Sequence, residues 1–373
     1  MPQSYALAVD AGTSFVEVAL VDADTGSVIG TARTPNQQAF FGTNVLTRLS
    51  AAVDGHAEAL QIAVQDSILE AVGAVGQKTV EAVLARIERI VVASNAVMAP
   101  LLCGIVPEGL VTAPFTPSTI EVCDSGPLID AWRSATGSTT CTVGVLAPIA
   151  AFVGGDARAV LVATGLNHEA EATLVVDLGT NAEILLRDGD SLFVTSVPAG
   201  PTFEGMLRSG SGGMRGSDVI DLLAERLQQG AIDPTGLVVD PESAYPLTQE
   251  DVRDFQLAKA AVRVGIDLLL SDAGIAPDQV TSFELVGAFG SALDPDSARS
   301  IGLFTPRLPE PITRRSEETA PTAHNTALRG AVMVLQGRSS AIEGSVTALE
   351  LATDTGFEQA FLDALSFPAP GSE

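Results

Sequence analysis

Val9-Asp10-Ala11-Gly12-Thr13 and Val176-Asp177-Leu178-Gly179-Thr180 are one pattern written twice, with a constant offset of 167 residues. Around the first copy, Tyr5 to Asp10, Phe15 to Asp22 and Ser27 to Arg33 are β-rich runs, separated by the turn at Gly12 to Ser14 and by Ala23-Asp24-Thr25-Gly26. Around the second, Ala172 to Asp177 leads through the repeated turn and then Asp188-Gly189-Asp190 to Ser191 to Val197. Short strands joined by turn signals predict an antiparallel meander, not the strand-to-helix step of a dinucleotide fold. Two such meanders predict an internally duplicated α/β protein.

An Asp followed by Gly and a hydroxyl residue in a tight turn has a definite chemical use. Glycine lets the backbone approach a phosphate, exposed N–H groups and the hydroxyl donate to its oxygens, and the carboxylate can hold a hydrated Mg²⁺. Either copy alone is also an ordinary β-turn. The repetition shifts the reading, because related halves would bring their turns to face each other. Asp10 and Asp177 are therefore the expected metal-holding carboxylates, and Gly12, Thr13, Ser14, Gly179, Thr180 and Asn181 the expected phosphate-gripping residues. Gly287-Ala288-Phe289-Gly290, at a strand-to-helix step, would let an adenosine lie against backbone. Glu204, near Arg208 and Arg215 in a glycine-rich stretch, is the expected catalytic carboxylate that orients water for attack on a phosphate.

The chain carries 20 Lys plus Arg against 46 Asp plus Glu, a formal charge of −26 over 373 residues. That balance excludes a general nucleic-acid binder, whose affinity rests on clustered cations. Hydrophobic residues make up 46% and charged residues 18%, so a sizeable core can form. Cys103, Cys123 and Cys141 fit neither a zinc site nor the four thiolates of an iron–sulfur cluster, so no cluster of its own is expected. The absence of a basic-then-apolar leader and of a long apolar run predicts a cytoplasmic protein without a membrane segment.

Residues 44 to 88 predict two helices broken near Gly73 to Gly76, and Ile90 to Ala93 a buried strand. Pro100 to Pro127, with five prolines, should resist regular structure. Further helices are expected at 128–136, 156–165 with Asp156 as its cap, and 325–336, with strands at 140–146 and 282–286. A long helix should begin at the Thr248/Asp251 capping box, bury Val252, Phe255, Ala258, Val262, Ile266 and Leu269, and stop at Gly274. Lys259 reads as a solvated residue on that helix, and His56, His168 and His324 show no metal-ligand spacing. The expected divisions are 1–93, a first half; 94–170, a middle region completing it; 171–340, the second half; and 341–373, a helix with a disordered tail.

These residues resemble the superfamily of acetate kinase, sugar kinases, Hsp70 and actin, and more closely the ATP-binding region of the reductive activators of corrinoid proteins. The matching stretches include Val9 to Thr13, Asn95 to Met98, Thr112 to Pro117, Phe152 to Asp156, Val176 to Asn181, Ala199 to Gly205, Gly213-Met214, Leu257 to Ala261, Val286 to Leu293 and Asn325 to Ala331. Ser94 and His324 stand where that family tends to have Gly. The resemblance implies two ribonuclease-H-like halves with an inserted middle region. It also implies Mg²⁺ and ATP as ligands, slow ATP hydrolysis, and reduction of an inactive corrinoid from Co(II) to Co(I). Members of the family carry an N-terminal [2Fe–2S] ferredoxin domain, whereas this sequence starts at the first nucleotide-binding strand. The expected partners are accordingly a corrinoid protein and a separate ferredoxin-like electron donor, with a homodimer implied by the likeness. A small-metabolite kinase of the same superfamily and a non-catalytic, nucleotide-gated binding module are the alternatives.

Overall fold

The computed structural model describes residues 4–75, 79–204, 216–313, 322 and 324–369. The chain divides into two compact units, Met1–Gly165 with Glu318–Ile342, and Leu166–Glu317 with Glu343–Glu373.

The first unit is built on six strands: β1 (Tyr5–Ala11), β2 (Phe15–Asp22), β3 (Val28–Pro35), β4 (Ile87–Ser94), β5 (Val122–Cys123) and β6 (Val143–Val145), in the order β3-β2-β1-β4-β6-β5. β1, β2 and β3 form the expected antiparallel meander, and β4 then lies parallel to β1 and β6 parallel to β4. The central strands are buried on both faces, which is why Ala6-Leu7-Ala8-Val9 and Ile90-Val91-Val92-Ala93 read as continuous apolar runs. Helix Ala57–Val75 packs on β2 and β3, while helices Gly155–Thr164 and Thr326–Leu335 pack on each other and on β4.

The second unit repeats the plan with β7 (Thr173–Leu178), β8 (Ala182–Asp188), β9 (Ser191–Val197), β10 (Ser282–Val286), β11 (Ile312–Thr313) and β12 (Ser345–Ala348), in the order β11-β10-β7-β8-β9-β12. β7 and β8 are antiparallel, and β10 runs parallel to β7, as β4 does to β1. Helix Gln249–Ala273 has the Thr248/Asp251 capping box, ends at Gly274 in the left-handed conformation, and buries the six apolar residues expected of it.

Several expectations are corrected. The break read near Gly73 to Gly76 stands, since one helix ends at Val75 and the next, Val80–Leu84, is capped by Thr79, but a further kink that was not expected lies at Gly55 (φ 97°), within Ala52–His56. Gly76 lies outside the described residues. The proline-rich stretch holds a helix at Met98–Leu102, a 3-10 turn at Glu108–Leu110 and β5, so it is less irregular than its composition suggests. Helix Gly216–Gln228 and strand β12 left little pattern to read. The helix opens in a glycine-rich stretch, and all four β12 residues are exposed. Residues 324–340, placed by sequence in the second half, belong to the first unit because helix Thr326–Leu335 packs there. Residues 366–369 are anchored where disorder was expected, and 370–373 lie outside the described residues. Phe367 is buried in the core, and its N–H donates to the Pro234 carbonyl at 2.8 Å. Lys259 is 2% exposed rather than solvated, and its Nζ donates to the carbonyls of Ala364 (2.7 Å) and Ser366 (2.6 Å) at the end of helix Phe357–Ala364. A cation is favourable at those unpaired carbonyls. Among the described residues, no helix is long and apolar enough to cross a membrane.

Gly330 lets helices Thr326–Leu335 and Gly155–Thr164 meet backbone to backbone, since a Cβ there would stand 1.9 Å from the Ala159 carbonyl oxygen. Backbone cannot yield as a side chain end does. Gly330→Ala should therefore cost about 3 kcal/mol, the upper end of overpacking penalties, read as a lowered midpoint in urea with an unchanged slope.

Candidate functional site

The first turn is held by its carbonyls. Ser94 Oγ donates to Ala11 O at 2.9 Å, Asn36 Nδ2 to Gly12 O at 2.8 Å, Arg48 Nη2 to Thr13 O at 2.6 Å, and the Asn36 N–H to Ser14 O at 2.9 Å. In a trans peptide the N–H points opposite the C=O, so the N–H groups of Thr13 and Ser14 face away from these braces. Asn95 Nδ2 lies 3.3 Å from Thr13 Oγ1, while its Oδ1 accepts from the N–H groups of Val97 and Met98. Arg48 is fully buried, and Gly42 O, Gln38 Oε1 and Met98 Sδ take three more of its hydrogens. Loss of water pushes its guanidinium down to about 10, so it remains a cation at neutral pH under the turn. A buried positive charge behind inward-held carbonyls suits an anion on the outer side. Arg48, Asn36 and Ser94 were missed in the sequence because each lies at least 22 residues from the turn it supports.

Asp10 sits directly opposite Glu17 in the β1–β2 ladder, and Glu17 opposite Arg33 in the β2–β3 ladder. Asn325 Nδ2 donates to Asp10 Oδ2 at 2.9 Å and to Glu17 Oε2 at 3.0 Å, and His324 Nε2 lies 2.7 Å from Glu17 Oε1. Burial raises the Glu17 carboxyl, but hydrogen bonds from His324 and Asn325 and the charges of His324 and Arg33 outweigh it and hold the group below its ordinary value of 4.5. The same contact with Glu17 raises the His324 imidazolium above 6.5 against partial burial. This histidine, which spacing alone left without a role, belongs to the site.

Asp156 does not cap its helix. Gly154 is the N-cap, and Asp156 lies in the first turn, where burial pushes its carboxyl up to about 6. Gly154 is required for space: its Cβ would stand 2.4 Å from the Asn95 Cα. The helix start bearing Asp156 is thereby pressed against the residue that touches Thr13.

In the second unit Asp177 faces Glu183 across the ladder, as Asp10 faces Glu17. Ser196 Oγ donates to Glu183 Oε1 at 3.4 Å, and the Gly200 N–H to Thr180 O at 2.7 Å. Gly287 has φ +82°, and a Cβ there would stand 2.1 Å from Asp177 Oδ1. The glycine expected to meet adenosine is thus brought against the second aspartate. Phe289 is buried, its ring stacked on Phe203 at 4.8 Å, so 287–290 offers backbone rather than that ring. The Glu204 backbone closes a 3-10 turn at Pro201–Glu204. The side chains of Glu204 and Ala288 lie outside the described part of the structure, as do Arg208 and Arg215. Each unit therefore assembles its own expected residues: Asp10, Gly12, Thr13 and Ser14 in the first, and Asp177, Gly179, Thr180, Asn181 and 287–290 in the second.

Among the described residues no group of three or more His, Cys, Asp or Glu could hold a metal unaided. The donor set fits a hydrated Mg²⁺ instead, which takes one or two carboxylates and completes its shell with water and phosphate.

The chain matches the model of the RACo middle region over residues 5–169 and that of the C-terminal, ASKHA domain of RACo over 171–215 and 208–373. It is homologous to the corrinoid activation enzyme RamQ of Eubacterium limosum, 28% identical over 96% of this chain and 69% of the relative. It is 26% identical to the [Co(II) methylated amine-specific corrinoid protein] reductase of Methanosarcina barkeri, over 44% of this chain and 40% of the relative. Among solved structures, a reductive activator for corrinoid, iron–sulfur protein superposes with a TM-score of 0.80 at 25% identity, covering 99% of this chain and 67% of that one.

The His324–Glu17 contact gives a pH dependence with a fixed sign. A histidine whose folded value is raised stabilises fully below 6.5 and loses that contribution as pH rises through the folded value. Thermal melts should show the wild type losing its advantage over His324→Gln as pH rises above 6.5; parallel profiles would contradict this.

Proposed function

We propose, from the premise that this chain belongs to the RACo family, that it binds Mg²⁺ and ATP through its two repeated turns and uses them to drive reactivation of a corrinoid protein from Co(II) to Co(I). The observation that carries this reading is the braced first turn, in which Ser94, Asn36 and Arg48 hold four successive carbonyls. The peptide groups of the turn are then held in one orientation, which suits the binding of phosphate oxygens without rearrangement.

In this reading Gly12, Thr13 and Ser14, with Gly179, Thr180 and Asn181, grip the phosphates, and Asp10 and Asp177 hold the hydrated cation. Bound Mg²⁺ would neutralise charge developing on the transferred phosphoryl group. The backbone of 287–290 lies against the nucleoside. Two carboxylates are available to take a proton from the attacking water, Glu204 and Asp156. A base poised near the working pH is the more effective, and burial gives Asp156 that property. Nucleotide occupancy then changes the surface offered to the corrinoid protein by binding one conformation better than the other. Cobalt(I) lies at very low potential, so such a step can make an uphill electron transfer complete. In this reading a ferredoxin-like iron–sulfur donor supplies the electrons.

Titration with a fluorescent ATP analogue, with and without Mg²⁺, tests the reading. Saturable binding with a Kd on the order of micromolar is expected, as is a large weakening in Asp10→Ala and in Asp177→Ala. Binding indifferent to both substitutions, or none, would remove it. The base is tested separately by the pH dependence of single-turnover hydrolysis. Asp156→Asn should slow the step roughly a hundredfold and abolish an inflection near pH 6 that Glu204→Gln retains. The opposite pattern returns the role to Glu204.

A further inference from the structure

Two carboxylates placed directly opposite each other on a strand pair repel, and a neutral residue facing Asp10 would make a more stable hairpin. Yet Glu17 is only 5% exposed, and the arrangement recurs in the second unit, where Glu183 at 8% faces Asp177. The first pair is joined by one amide. Asn325 Oδ1 accepts from the Leu328 N–H at 2.8 Å, capping helix Thr326–Leu335, and this fixes which side of the amide is oxygen. Its Nδ2 must then face the carboxylates, and its two hydrogens go to Asp10 Oδ2 and Glu17 Oε2. The clamp is secured from behind by His324 on the other Glu17 oxygen and by Arg33, which lies across from Glu17 with its guanidinium 3.6 Å above the Phe15 ring.

We infer that Glu17 and Asn325 are positioning residues for Asp10: the amide holds the two carboxylates edge to edge, so that Asp10 meets the hydrated cation of the bound nucleotide in one fixed orientation. The inference rests on the Mg²⁺ and ATP reading above. Glu17 adds negative charge beside the cation without coordinating it, and the helix cap makes the clamp rigid. Neighbours of this kind commonly change metal affinity without touching the metal.

The test uses the full chain with Mn²⁺ as the probe, its binding in the presence of ATP followed by electron paramagnetic resonance, alongside ATP affinity in EDTA and steady-state hydrolysis. Asn325→Ser keeps an oxygen for the helix cap and loses the bridging hydrogens; Glu17→Gln keeps the shape and loses the charge. Both should raise half-saturating Mn²⁺ about tenfold while leaving ATP affinity in EDTA and turnover at saturating metal within about twofold. Asn325→Asp, which keeps the cap but turns a third carboxylate oxygen on the pair, should be worse than Asn325→Ser. Wild-type metal dependence in Asn325→Ser and Glu17→Gln, or equal loss of ATP affinity without metal, would overturn the positioning role. Failure of the wild-type chain to bind ATP at all would instead overturn the nucleotide reading, and this inference with it.

Discussion

Buried backbone carbonyls must find donors, and in the first turn that requirement decides the site. Ala11, Gly12, Thr13 and Ser14 have theirs engaged by Ser94, Asn36, Arg48 and the Asn36 backbone. With the carbonyls fixed, the orientation of the intervening peptide groups is fixed too. The wider fold is what brings the braces there: β4 delivers Ser94 and Asn95, the segment after β3 delivers Asn36, and the helix Val45–Ala51 delivers Arg48. Removing the parallel pairing of β1 with β4 would remove the site along with the sheet.

Charge adds a second layer. The chain is strongly acidic as a whole, yet the charged groups described at the first turn are a buried arginine and a carboxylate pair tied by an amide. These have opposite uses: a cation under the turn favours phosphate, and paired carboxylates favour a divalent cation. Their coexistence in one unit is what the proposed metal–nucleotide ligand, which carries both signs, would call for. Likeness to corrinoid activators supplies the partner, which the geometry of either unit does not contain.

The fold was legible where local rules suffice. The two meanders, the capping box at Thr248 and Asp251 and the left-handed Gly274 are set by neighbours in sequence, and they stand as read. The duplication was visible as Asp-x-Gly-Thr but went further than seen, since Glu17 and Glu183 also correspond and are displaced by one residue from the common offset. What escaped depends on distance along the chain. Arg48 reads as an ordinary helix residue until it is found behind Thr13, and His324 as an isolated histidine until it meets Glu17, 307 positions away. Lys259 and Phe367 escaped for a related reason. A tail rich in Pro, Gly and Ser gives no periodicity, and only the carbonyls of Ala364 and Ser366 show why a lysine is buried.

In the proposed reading both repeated turns serve a single nucleotide. Calorimetric titration of the full chain with Mg²⁺ and a non-hydrolysable ATP analogue tests it most directly, because stoichiometry separates one shared site from two independent ones. A single equivalent bound per chain is the predicted result. Two equivalents, each removed separately by loss of one aspartate, would contradict it.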